Sequence, residues 1–414
     1  MAVTKKDLLL AIDRDREEII AFLSGFVRAK SPNPPGDTTE AVNYLTRFLA
    51  AEGLPFRLVA PQPQMANIVG SFAGGAGPGK HLVLNGHIDV FPVDPSETWA
   101  HDPWSGAIAD GKIWGRGVVD MKAGTSASIF TYRYLHRVRD ALKGKLTLTC
   151  VSDEETFGPW GARWLMEHEP DVLGDCCLNG EPSSPFTVRF GEKAPLWLKI
   201  TVRTPGAHGA YTHASPSATK IAAAIINELE SITGIATPAP SAVAEALAEG
   251  GGAMDKAMGA GTAEIVQKVT LNIGRIEGGL KVNMIPGVCS FEADVRLPLG
   301  CEKEHVMPHI RAIVGRRGAT IEEINATEPA WCDPGGDMMA ILRANVRELR
   351  GFEPMPAVSL GGTDARLWRQ RGIPAYVYGP CPTGMGQKDE AVSIDDYLHI
   401  VRTHVLASFD YLTK

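Results

Sequence analysis

Three consecutive carboxylates, Asp153, Glu154 and Glu155, follow the apolar, β-branched run Leu146 to Val151. That run reads as a buried strand. Acids crowded at the end of such a strand raise one another's pKa unless a cation or a proton-transfer task uses their charge. Two adjacent carboxylates suit a hydrolytic metal site, where one holds the ion and the other handles a proton of water. For an isolated acidic run a solvated loop is the better reading, so partners elsewhere in the chain decide.

Such partners exist. A second strand, His81 to Gly86, ends on His87-Ile88-Asp89, and alternation puts His87 and Asp89 on one side of the chain. A histidine ligand with an aspartate orienting it fits that spacing. Asp120 stands where a loop enters a helix over 121–137, in the manner of an N-cap. Glu181 follows another strand, 175–179. His87, Glu154, Glu155 and Glu181 therefore each lie just beyond the carboxyl end of a strand. Open α/β sheets build their sites along that edge.

The elements that must hold these residues follow from pattern and punctuation. Amphipathic helices are predicted over 5–28 and 38–53, separated by the breaker run Ser31 to Asp37. From Leu196 the pattern changes: strand 196–202, helix 216–231, strands 266–276 and 287–296, helix 302–315 and strand 319–325. That is the β-α-β-β-α-β order of a ferredoxin-like domain. Residues 235–264, rich in Ala, Gly and Pro, read as an insertion with one short helix, over the active site or between subunits. Helix 335–350, strand 374–378 and helix 394–412 return to α/β. The prediction is an α/β catalytic domain with a mixed sheet flanked by helices (1–195 and 328–414), interrupted by a smaller ferredoxin-like α+β lid (196–327).

Length and composition are consistent with this. A chain of 414 residues exceeds one typical domain. Its 44% hydrophobic and 21% charged residues are those of a soluble globular protein. A net charge of −7 argues against nucleic acid or an anionic membrane as partner. No run approaches the ~18 apolar residues of a membrane span, and the N-terminus has no signal-peptide core. Seven scattered cysteines without a C-x-x-C spacing fit reduced thiols in a cytoplasm.

In order along the chain stand His87-x-Asp89, Gly115-Arg-Gly-x-x-Asp120-Met-Lys, Asp153-Glu-Glu155, Gly180-Glu181-Pro, Gly206-Ala-His208 and Gly361-Gly-Thr-Asp364. This series resembles the motifs of the aminoacylase / acetylornithine deacetylase / carboxypeptidase G family of metallopeptidases, over about residues 15–412. The resemblance implies that His87 and Glu181 bind one metal ion, that Asp120 bridges two, and that Glu155 binds the second. It makes Glu154 the general base, Asp89 the residue that orients His87, and His208 a lid residue reaching into a partner subunit's site. Asn283, Arg296 and Gly361 fall where the family contacts substrate. A homodimer or larger homo-oligomer through the lid is implied as well.

One position departs from the pattern. The family completes its second metal site with a histidine four residues before a glutamate, and here Gly386 stands four before Glu390. No histidine occurs between His309 and His399, and His399 and His404 fall inside the terminal helix. The expectation is one divalent ion per chain, held by His87, Asp120, Glu181 and Glu155. One imidazole among carboxylates leans toward Mn²⁺ or Co²⁺, with Zn²⁺ also compatible. Three functions remain open at this point. The first is hydrolysis of a C–N bond, amide or related, in a small carboxylate-bearing molecule. The second is release of ammonia from an electron-poor aromatic amine, as in a branch resembling nitroanthranilate aminohydrolase. The third is a small-molecule binding protein that has lost catalysis.

Overall fold

The strand before the acidic run, Lys145–Val151, lies inside a nine-stranded sheet in this computed structural model, which describes residues 3–414. Along the sheet the order is Arg57–Val59, Asn67–Ala73, Lys145–Val151, His81–His87, Cys176–Asn179, Ala375–Val377, Thr187–Glu192 and Ala330–Trp331. Met355–Ser359 also pairs Thr187–Glu192. His81–His87 runs parallel to both of its neighbours, Lys145–Val151 and Cys176–Asn179. All three strands therefore end at one edge, which brings His87, Asp153 to Glu155, and Glu181 together.

Helices cover both faces, which is why these strands read as continuous apolar runs rather than alternating ones. Ala123–Arg137, Asp337–Arg350 and Ile394–Thr413 bury one face, and Ala162–His168 and Ala365–Arg369 bury the other. A polar ladder crosses the interior just below the site edge. Asn179 Nδ2 donates to Asn85 Oδ1 (2.8 Å), and Asn85 Nδ2 donates to Thr149 Oγ1 (3.1 Å). The Glu181 N–H donates to Asn179 Oδ1 (2.8 Å). Buried amides are costly unless bonded, so this ladder ties three strand ends into one register.

A separate four-stranded antiparallel sheet has the order Thr270–Gly278, Val288–Leu297, Ala194–Arg203 and Thr320–Ala326. Helices Ala218–Leu229 and Lys303–Gly315 pack on it around their own core. This is the ferredoxin-like lid, and with the mixed sheet it gives the predicted fold class.

Several elements differ from the sequence reading. The helix expected over 5–28 breaks into Lys5–Arg14 and Arg16–Arg28 at Asp15. The Asp15 carboxylate turns inward to the buried guanidinium of Arg133 (2.7 Å) and the hydroxyl of Tyr134 (3.1 Å). Residues 235–264 carry an 18-residue helix, Ser241–Met258, not one short helix. Its Val243, Ala246, Leu247 and Met254 join the core of the large sheet, although the lid strands flank it in sequence. Gly250 meets the Pro356 carbonyl so closely that a Cβ there would lie 2.0 Å from the oxygen. Strand Thr187–Glu192 escaped the sequence reading because Arg189 and Glu192 interrupt its apolar pattern. Both are buried and paired: Arg189 donates to Ser359 Oγ (3.0 Å), and Glu192 receives Thr363 and Arg369.

Among the described residues, no helix is long and apolar enough to cross a membrane. All seven cysteines are free.

The terminal helix carries two buried neutral histidines. His399 Nε2 meets the Tyr378 hydroxyl (2.7 Å), and His404 Nε2 donates to the Tyr378 carbonyl (2.6 Å). Burial pushes their pKa down to about 3 and about 4. The unfolded chain takes up these protons below its ordinary value near 6.5, whereas the folded chain does not. Their contribution to stability is therefore intact above pH 6.5 and lost as pH falls toward 4. At pH 4 the His404 share is about 3 kcal/mol. With the metal site kept loaded, His404→Gln is expected to show a smaller fall in Tm between pH 7 and pH 5 than the wild type. Equal falls would show that this histidine does not govern acid stability.

Candidate metal centre

His87 leaves the sheet at the end of its strand, fully buried. Its Nδ1 lies 2.8 Å from the Asp89 backbone carbonyl, an acceptor only, so Nδ1 carries the proton. The bare Nε2 then faces Asp120 Oδ1 at 3.1 Å and Glu181 Oε1 at 3.3 Å. Ligand atoms of His87, Asp120 and Glu181 all fall within 4.8 Å of one another. A lone pair and two carboxylates converging in a buried space repel unless a positive charge sits among them. The same crowding favours a positive charge on His87 itself. Burial opposes a charge on His87, yet Glu181 and Asp120 hold its pKa well above the usual value. Burial, reinforced by Asp120, pushes Glu181 up to about 7. The trio fits a divalent cation with nitrogen and oxygen ligands.

Asp120 does not cap a helix as expected. The regular helix begins only at Ala123, and Asp120 has φ −113° and ψ 99°. The residue that sets it is Glu390, which sequence reasoning noted only as the end of a broken motif. The buried Glu390 carboxylate accepts the N–H groups of Gly117 (3.1 Å), Val119 (2.8 Å) and Asp120 (3.2 Å). It also pairs with Arg116 Nη1 (2.9 Å), whose guanidinium stacks on Trp99. Glu390 thus clamps the loop that presents Asp120.

The acidic run separates into distinct environments. Asp153, at φ +71°, accepts from Asn33 Nδ2 (3.2 Å), Thr156 Oγ1 (2.8 Å) and the Trp160 N–H (3.1 Å), so it organises the loop. Glu154 points inward, with Oε2 4.0 Å from His87 Nε2 and Oε1 without a hydrogen-bond partner. Glu155 stands outside the His87 trio, with its own Oε1 buried and unpartnered. Burial drives both glutamates well above the usual carboxylate range, with Glu181 adding to the effect on Glu154 and Asp120 to that on Glu155. The Asp89 carboxylate accepts the N–H groups of Glu154 (3.3 Å) and Glu155 (3.1 Å) and the side chain of Asn33 (2.9 Å). It therefore fixes the acidic loop directly, while His87 leans on the Asp89 backbone. Asn33 was missed in the sequence because it sits in a run of turn formers.

Gly386 has φ +70°, and a Cβ there would lie 2.8 Å from the Phe91 ring. The ring fills the space beside Gly386. The terminal-helix histidines are bound to Tyr378 and take no part in the cluster.

His208 and Asn283 lie on the lid, both exposed, where strand Ala207–His208 pairs with Met284–Ile285. The Gly209 N–H donates to the Asn283 carbonyl (2.7 Å). Arg296 is half-buried and held by Asp294, through Nε (2.8 Å) and Nη2 (3.0 Å). Gly361 is exposed in the turn after Ser359. Among the described residues, no hydrogen bond or ion pair joins His208, Asn283 or Arg296 to the His87 cluster.

A family model described as peptidase family M20/M25/M40 matches residues 83–408. The succinyl-diaminopimelate desuccinylase of Xanthomonas euvesicatoria is 28% identical over 324 residues, covering 76% of this chain and 79% of that protein. The M20 family metallo-carboxypeptidase Sso-CP2 from Sulfolobus solfataricus has the same fold, with a TM-score of 0.81 at 18% identity. That alignment covers 96% of this chain and 100% of the other. The YXEP protein of Bacillus subtilis, a dinuclear metal-binding peptidase of the M20 family, gives 0.67 at 16% identity, covering 97% and 99%.

Proposed function

The chain belongs to peptidase family M20/M25/M40, and from that premise we propose that it hydrolyses an amide C–N bond in a small, carboxylate-bearing molecule. The observation that carries the reading is the bare Nε2 of His87 enclosed by Asp120 and Glu181, with Glu154 just outside at 4.0 Å. His87, Asp120 and Glu181 would hold one divalent ion, with Glu155 as a reserve ligand, and Mn²⁺, Co²⁺ or Zn²⁺ suits the set. Bound there, such an ion would supply Lewis acidity and lower the pKa of a nearby water toward neutrality. Glu154 takes the proton from a water whose oxygen attacks the carbonyl carbon. As the C–N bond breaks, Glu154 returns the proton to the leaving nitrogen. Asp89 keeps Glu154 in place by holding its backbone N–H.

Residues 1–195 and 328–414 form the catalytic domain in this reading, and 196–327 form the lid, apart from the helix Ser241–Met258 docked on the large sheet. The lid supplies His208, Asn283 and Arg296, and the turn supplies Gly361, as substrate contacts. The exposure of His208 supports its use across a homodimer. A second reading, ammonia release from an electron-poor aromatic amine, is favoured by Gly386 and the Phe91 ring beside it. An aromatic ring that disperses negative charge needs a second ion less.

A panel of N-succinyl and N-acetyl amino acids and 5-nitroanthranilate, offered to ion-loaded protein, separates the readings. Free amino acid supports the amide reading, and ammonia from nitroanthranilate supports the second. Binding of panel compounds without turnover by ion-loaded protein would sink both.

A further inference from the structure

The buried cations around the site are mostly consumed by the protein. Arg369 bonds Glu192 and two backbone carbonyls, and Lys193 bonds Ile265 and Lys268 carbonyls and Thr270 Oγ1. Arg366 differs. It is 3% exposed, and its one hydrogen bond runs from Nη1 to the Thr363 carbonyl. Among the described residues, no acceptor pairs with Nε or Nη2. Nη1 lies 3.7 Å from Glu154 Oε1, beyond hydrogen-bond length, and that oxygen is itself unpartnered. Its guanidinium lies over the Phe157 ring at 4.5 Å. Phe157 meets lid residue Trp197 edge-on at 5.9 Å, and Trp197 Nε1 donates to Asp294 (2.8 Å), the residue that neutralises Arg296.

A planar guanidinium fixed on an aromatic ring, with two free donors, is built for a carboxylate. Glu154 is a poor permanent partner because a base that cycles through its protonated form surrenders its charge each turnover. Arg296 on the lid carries its own countercharge in Asp294, so its contact with substrate adds less net positive charge than Arg366 does.

We propose that Arg366 grips the substrate's carboxylate beside Glu154, so that the catalytic domain itself selects anionic substrates, with Phe157 as the platform that orients the guanidinium. This rests on the amide-hydrolase reading.

The test uses the ion-loaded full chain with an N-acetyl amino acid and the matching N-acetyl amino acid amide, whose charge is removed with little change in shape. Arg366→Met is expected to raise KM for the acid about 100-fold, the worth of a charge-assisted bidentate contact. For the amide, KM should change less than about threefold. Arg366→Lys should fall between, since it keeps charge without the fork. Parallel KM losses on both compounds would overturn the assignment while leaving the hydrolase reading intact; absence of wild-type turnover on both would instead fault that reading. A turnover-independent arm applies in either case. Succinate should raise the Tm of the wild type but not of Arg366→Met, and an equal rise in both would overturn the assignment.

Discussion

Replacing Glu154 with glutamine is expected to lower kcat about 10²–10⁴-fold, the usual range for loss of a positioned general base. Bound metal, measured by elemental analysis after gel filtration, should not change. Glu154 lies outside the trio of His87, Asp120 and Glu181, with its nearer oxygen 4.0 Å from His87 Nε2. Folding should also be spared. Glu154 Oε1 has no hydrogen bond to lose, and a neutral amide of the same shape relieves a carboxylate that burial disfavours. The three measurements together distinguish catalysis from architecture. Metal lost in step with activity would make Glu154 a ligand, and undiminished turnover would remove it from the mechanism. If the protein merely binds its ligand, affinity would survive the change and there would be no turnover to lose.

Chelation is expected to abolish turnover and lower Tm, with both restored by Mn²⁺, Co²⁺ or Zn²⁺. Without a cation, the buried Glu154 and Glu181 and the partly buried Asp120 and Glu155 crowd around a single imidazole. An ion at 100 times its dissociation constant adds about 2.7 kcal/mol of stability by mass action. The loaded protein should hold one ion per chain. Gly386→His alone should not raise that number, because the residue sits at φ +70° and its Cβ would press on the Phe91 ring at 2.8 Å. A left-handed backbone disfavours any side chain there, and the ring blocks the approach. Pairing the change with Phe91→Ala removes the block. Two tightly held ions in the wild type would contradict the single-ion assignment outright.

Legibility varied with how far the determining contact lay in sequence. His87, Asp153 to Glu155 and Glu181 could be read as a set because each follows a buried strand, and parallel strands end at a common edge. The lid was legible for a similar reason, since its strand and helix periods are local. Strand Thr187–Glu192 was not, because Arg189 and Glu192 look like surface residues until Ser359, Thr363 and Arg369 are brought against them. The helix Ser241–Met258 was hidden by its Ala and Gly content. One of its glycines, Gly250, serves a backbone approach to Pro356 that no local pattern reveals.

By itself the sequence determined the residue types of the site and the edge they share. Those depend on chain order and on the alternation of buried strands, which are local properties. Only the tertiary structure decided how the acidic run divides its work. Asp153 became a loop organiser through Asn33, Thr156 and Trp160. Glu154 was left unpartnered beside Arg366, and Glu155 fell outside the His87 trio. The structure also moved the task of setting Asp120 to Glu390, some 270 residues away. These outcomes depend on which buried carboxylates find donors, and in a low-dielectric interior that is settled by three-dimensional neighbours rather than by the chain.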